Sequence, residues 1–152
     1  MKLRYYQKDL IKKIDSNNLI VVNWPTAFGL DYTIEQYMTI NDNLKYGYFG
    51  YQSVLDINYT TIKPKHITIQ TLLGSDIDVL IFEYNNRFKR ILIDVIEYCF
   101  NHSIKVIIKQ NYYDLKETLK DYKYYYSDGN VTKEMYRRMK LKRLIYDNTK
   151  DK

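Results

Sequence analysis

The chain has 152 residues, 45% hydrophobic and 28% charged, a globular composition with length enough to bury roughly two-thirds of the surface its unfolded form exposes. No apolar run approaches the ~20 residues of a membrane span, and the polar start Met1-Lys2-Leu3-Arg4-Tyr5-Tyr6-Gln7 lacks a signal peptide's apolar centre, so a soluble, intracellular, cytoplasmic protein with no membrane partner is expected. The formal net charge of +6 is unevenly placed: residues 1–132 carry 16 Lys and Arg against 15 Asp and Glu, whereas residues 133–152 carry 8 against 3.

Leu3, Tyr6, Leu10 and Ile14 recur at spacings of three and four and predict an amphipathic helix ending in the turn Asp15-Ser16-Asn17-Asn18. Leu19 to Asn23 reads as a short buried strand. From Asp31 onward, Ile34, Tyr37 and Met38 mark a second helix, and Tyr46 to Gln52 and His66 to Gln70 read as strands. Asp78-Val79-Leu80-Ile81-Phe82 is a continuous apolar run behind an acid, as expected of a central parallel strand covered on both faces. Phe88 to Phe100 is the clearest helix, Ile104 to Ile108 the next strand, and Leu115, Leu119 and Tyr122 predict one more helix before the turn Ser127-Asp128-Gly129-Asn130. Strands alternating with helices predict an α/β domain with a parallel sheet over residues 1–130, followed by a basic helical tail over 131–152.

Cys99, the single cysteine, excludes an internal disulfide, suits a reducing compartment, and lies on the apolar stripe of the Phe88–Phe100 segment, so it reads as a buried structural thiol. His66 and His102 have no partner Cys or His, and no metal site is expected. The 18 tyrosines, among many Ile, Lys and Asn, fit an AT-rich coding sequence, as in a virus, phage, mobile element or AT-rich bacterium; base-stacking surfaces are the alternative.

Between the first strand and the second helix stands Asn23-Trp24-Pro25-Thr26-Ala27-Phe28-Gly29-Leu30-Asp31-Tyr32-Thr33. Strand, loop and helix follow one another as in a phosphate-binding loop, where backbone N–H groups wrap phosphates, a Lys offsets their charge and a Ser or Thr holds magnesium. Pro25, Thr26 and Gly29 match the helicase form of that loop. Trp24 stands where a small residue is usual, Ala27 for glycine, Leu30 for lysine and Asp31 for threonine. Three further segments occur in order: Leu3-Arg4-Tyr5-Tyr6-Gln7 is similar to the "LRxYQ" segment of superfamily 2 helicases, Ile67-Thr68-Ile69-Gln70-Thr71-Leu72 to their "TxQxL" segment, and Asp78 to Tyr84 to the strand that ends in Asp-Glu. Together they span Leu3 to about Gln110 and resemble the first RecA-like domain of the restriction-helicase type. The second RecA-like domain is not expected within these 152 residues.

The resemblance implies a RecA-like parallel sheet flanked by helices and a nucleotide site at Gln7, Pro25, Thr26, Gly29, Leu30 and Asp31, with Gln7 at the adenine position. The same residues imply that this site is vestigial. Leu30 removes the ammonium expected on the phosphates, and Asp31 puts a carboxylate at a helix start where phosphate would bind, there to act as an internal capping anion. Glu83 falls on the magnesium-binding Asp position, while Tyr84 replaces the Glu that orients the attacking water. Near Lys109-Gln110-Asn111 no Thr-Ala-Thr or Ser-Ala-Thr is found. ATP and magnesium binding is expected to be weak or absent, with no working catalytic residue.

Lys133, Arg137, Arg138, Lys140, Lys142 and Arg143 place a basic stripe on the helical tail, suited to nucleic-acid phosphates; a solvated helix that merely closes the fold, or an acidic protein partner, accounts for it as well. The expected function is a catalytically inactive, helicase-like module that binds nucleic acid non-specifically or regulates a nucleic-acid-processing complex. The alternatives are a protein-binding helicase mimic that engages a partner helicase, nuclease, or replication or transcription complex, and an atypical ATPase.

Overall fold

The computed structural model describes residues 3–25, 28–50, 64–110 and 114–129, and in the tail residues 137–138 and 140–141. In chain order the elements are α1 (Tyr5–Ser16), β1 (Leu19–Asn23), α2 (Leu30–Ile40), β2 (Tyr46–Phe49), β3 (Lys65–His66), α3 (Ile69–Leu72), β4 (Val79–Glu83), α4 (Leu92–Asn101), β5 (Lys105–Lys109) and β6 (Tyr125–Asp128). The strands form one sheet in the order β3-β2-β4-β5-β1-β6. Every pairing is parallel. This is the α/β class expected, a parallel sheet flanked by helices and consistent with a RecA-like or Rossmann-type arrangement.

Strand residues point alternately to the two faces, so each central strand feeds two cores. Ile20, Val22, Ile81 and Ile107 join the layer under α1 and α2, where Leu10, Ile14, Ile34 and Met38 pack. Leu19, Val21, Phe82 and Val106 join the layer under α4, with Val95, Ile96 and Cys99. Cys99 is fully buried, and that burial pushes its thiol up to about 12.

Four sequence expectations need correction. The segment His66 to Gln70 is not a strand: β3 stops at His66, and Thr68 begins α3 instead. The Thr68 hydroxyl accepts from the Thr71 N–H at 3.2 Å and the Thr71 hydroxyl from the Thr68 N–H at 2.7 Å, a reciprocal cap that turns the chain into a helix. The helix expected from Phe88 starts only at Leu92. Ahead of it Asn85 caps a 3₁₀ turn over Asn86–Phe88.

Leu115, Leu119 and Tyr122 lie on a run of turns rather than a helix, although Leu115 and Leu119 are buried as a helical stripe would have them. Finally, Ser127 and Asp128 belong to β6, not to a turn: the strand Tyr125–Asp128 pairs with β1 from Ile20 to Asn23. Tyr51 and Gln52, expected at the end of β2, lie outside the described residues.

Candidate functional site

In an open parallel sheet, ligands bind beyond the carboxyl ends of the strands, where neighbouring strands send their connections to opposite sides. Here β1 and β5 are such neighbours: the chain leaves β1 toward β2, and leaves β5 toward β6 on the other side. Trp24, Pro25, Gly29, Asp31, Glu83 and Lys109 all sit at this edge.

Gly29 is the N-cap of α2, with φ 72° in the left-handed region that glycine adopts readily. A Cβ added there would lie 2.8 Å from Nε2 of Gln7. That close approach is a hydrogen-bonding arrangement. Gln7 Nε2 donates to the Phe28 carbonyl at 2.9 Å, and Gln7 Oε1 accepts from the Arg4 backbone N–H at 2.8 Å. The glutamine is buried and ties the start of α1 to the loop.

Behind the loop, the rings of Tyr6, Trp24 and Phe28 form a closed triangle, with centroids 5.3 Å apart for Tyr6–Trp24, 5.2 Å for Tyr6–Phe28 and 6.2 Å for Trp24–Phe28. All three are buried. Trp24 Nε1 donates to the Ser127 hydroxyl at 2.7 Å, fixing the loop to β6. The residue that stands where the helicase loop has a small one is thus a strut between β1, α1 and the edge strand.

Asp31 does not cap α2. Gly29 holds the N-cap position, and among the described residues no side-chain cap hydrogen bond is made there. The Asp31 carboxylate instead accepts from Nζ of Lys109, the last residue of β5, at 2.6 Å; the side chains are 45% and 15% exposed respectively. Asp31 in the first turn faces a helix end that favours anions, and Lys109 is a buried-strand residue whose ammonium reaches out to the same place. The physical reason for the correction is that a full positive charge within reach outcompetes neutral N–H donors for a carboxylate.

Lys109 is also the register partner of Glu83 across β4 and β5. The exposed Glu83 carboxylate accepts the hydroxyl of Tyr48, from the end of β2. Burial first, then this hydrogen bond and the charges of Glu83 and Asp31, hold the Tyr48 phenol well above its usual range. Four strand and helix ends therefore contribute one polar cluster of Tyr48, Glu83, Lys109 and Asp31. Among the described residues there is no group of three or more His, Cys, Asp or Glu side chains able to hold a metal ion.

Of the residues singled out by sequence, Gln7, Pro25, Gly29, Leu30 and Asp31 come together at this edge; Leu30 packs against the α1 and α2 layer and Pro25 is exposed. Thr26 lies outside the described residues. Glu83 joins the cluster, while its neighbour Tyr84 points to the opposite face, buried and stacked on Phe82 at 6.2 Å and 26°. Gln70 of the "TxQxL" segment is exposed on α3, beyond the far edge strand β3. In the tail, Arg137, Arg138 and Lys140 are helical and exposed, whereas Lys133, Lys142 and Arg143 lie outside the described residues.

Sequence reasoning missed Tyr48 and the partnership of Lys109. A lysine directly after Val106-Ile107-Ile108 marks the exit of a buried strand, but its partner is fixed only by the strand order.

Compared with known proteins, the chain matches no protein-family model and no curated protein sequence.

Proposed function

We propose that the chain is a non-hydrolysing, helicase-like module of the pseudo-ATPase kind, which binds nucleic acid through phosphate contacts or regulates a nucleic-acid-processing complex in the cytoplasm. The observation that carries this reading is the Asp31–Lys109 ion pair at the start of α2. At the edge where a nucleotide phosphate is expected, an internal carboxylate already takes both the nearby ammonium and the favourable end of the helix. Gln7, at the adenine position of the resemblance, spends its amide on the Phe28 carbonyl and the Arg4 N–H. These residues do not fit a bound ATP.

Two measurements test the reading. Titration with ATP and ADP, with magnesium present, should give no binding in the low-micromolar range, and Leu30→Lys/Asp31→Thr should gain affinity if the scaffold is a nucleotide-site relic. Low-micromolar affinity in the parent would refute the pseudo-ATPase reading and favour an atypical ATPase. Salt-dependent binding to single- and double-stranded DNA and RNA tests the nucleic-acid part.

A second reading, a protein-binding helicase mimic, is favoured by the exposed apolar side chains Ile69 and Leu73 at α3, 47% and 66% exposed beside the short edge strand β3. Binding to a partner helicase or nuclease with no affinity for nucleic acid would select it.

A further inference from the structure

Residues 1–132 are almost neutral as a whole, yet the ten residues from Tyr84 to Ile93 contain Arg87, Lys89 and Arg90 and no acid. All three cations are exposed. This segment leaves β4 at the carboxyl edge of the sheet, the edge that also carries Trp24, Gly29 and the end of β6.

The segment is held in one shape. Asn85 Oδ1 accepts from the Arg87 N–H at 2.9 Å and sets the 3₁₀ turn. Phe88 is driven inward, its ring 5.0 Å from Phe49 and 5.6 Å from Phe82, both at steep angles. The Ile91 N–H then donates to the Phe88 carbonyl at 3.1 Å. With the aromatic residue anchored, its neighbours Arg87 and Lys89 are forced to the outside. The N-cap of α4, Ile91, offers no side-chain acceptor, and Asp94 in the first turn faces the favourable end of the helix, so the positive charge of this surface is that of the three side chains.

Lys45, Lys109 and Lys120 are ion-paired, but neither Lys89 nor Arg90 is, among the described residues. Exposed cations on a preformed loop bind a polyanion with little ordering cost, and phosphates bound this way release counterions.

We infer that the Arg87, Lys89, Arg90 loop is a phosphate-contacting surface for a nucleic-acid backbone, independent of base sequence. This rests on the nucleic-acid reading above. The test uses the full chain and fluorescein-labelled oligothymidylate, duplex DNA and duplex RNA as probes, with affinity followed against salt. Lys89→Glu/Arg90→Glu should weaken binding by roughly tenfold or more at low salt and flatten the slope of log K against log salt by about 1.4 for single strands and about 1.8 for duplex DNA. Lys89→Arg/Arg90→Lys should bind as the parent does.

If the charge reversal disturbs folding, judged by the thermal midpoint, Lys89→Gln/Arg90→Gln is read in the same assay and should give a weaker loss of the same sign. A parent that binds while both loop variants bind equally well overturns the inference and leaves the nucleic-acid reading standing. A parent that binds none of the probes at low salt overturns both.

Discussion

Nζ of Lys109 lies 2.6 Å from Oδ1 of Asp31, joining the end of β5 to the first turn of α2 across 78 residues of sequence. Because Lys109 is largely covered, removal of its partner leaves an ammonium with little water to turn to. Asp31→Asn should destabilise the fold by about 1–3 kcal/mol. Lys109→Met should cost less, since the apolar stem is retained and the partly exposed carboxylate can be solvated. A double-mutant cycle by chemical denaturation should return a coupling of about 1 kcal/mol, and strict additivity would show the pair to be energetically idle.

Gly29→Ala combines two costs, the left-handed backbone and the approach to Gln7 Nε2. We expect a loss of about 1–2 kcal/mol in thermal or denaturant unfolding. Adding Gln7→Ala should relieve the steric part while forfeiting the hydrogen bond to Phe28, so the double variant should be less destabilised than the sum of its parts. A Gly29→Ala protein as stable as the parent would contradict the N-cap conformation.

The Trp24–Ser127 hydrogen bond is buried at both ends. Ser127→Ala should cost about 1–2 kcal/mol by taking the acceptor from a buried indole N–H. Trp24→Phe should cost about 2–3 kcal/mol, because a cavity is added to the lost bond. The two changes together should cost less than their sum, which unfolding titrations on the three variants would measure.

Glu35 is buried in α2, its Oε2 without a hydrogen bond among the described residues, and burial raises its pKa above the usual 4.5. For an acid raised in the folded state, ionisation opposes folding: the penalty is full above the folded pKa and vanishes below the unfolded one. Glu35→Gln should therefore stabilise the protein at neutral pH by about 1 kcal/mol. The advantage should shrink as pH falls toward 4.5, so Tm differences measured across that range are the check. A stability difference that is flat with pH would place the effect elsewhere.

The parts of the fold written in local periodicity were legible. Leu19 to Asn23 is β1 to the residue, and the stripes Leu10, Ile14 and Ile34, Tyr37, Met38 are the buried faces of α1 and α2. Segments governed by a single hydrogen-bonding side chain were misread: Thr68 converts an alternating stretch into α3, and Asn85 delays α4 by four residues. β6 was hidden because Ser-Asp-Gly carries turn composition, and only a partner strand far away in sequence overrides it. The site was half legible. Gln7, Gly29 and Asp31 could be picked out from the loop pattern, but the purpose of Asp31 depended on which strand lies beside β1, and strand order is not a local property.

That order has a bearing on how the protein is made. Of the described strands β1 comes first in the chain, yet both its neighbours come late: Ile20 faces Ile107 on one side and Tyr125 on the other. β2, β3 and β4 can pair with one another as soon as β4 emerges, while β1 waits with two open edges, a slow closure of long loops and an opening for aggregation. A chain cut after Ser103 should accordingly be aggregation-prone in light scattering, whereas one cut after Gly129 should remain monodisperse. Of the described strands, the one that comes first in the chain is completed only when the final one docks beside it.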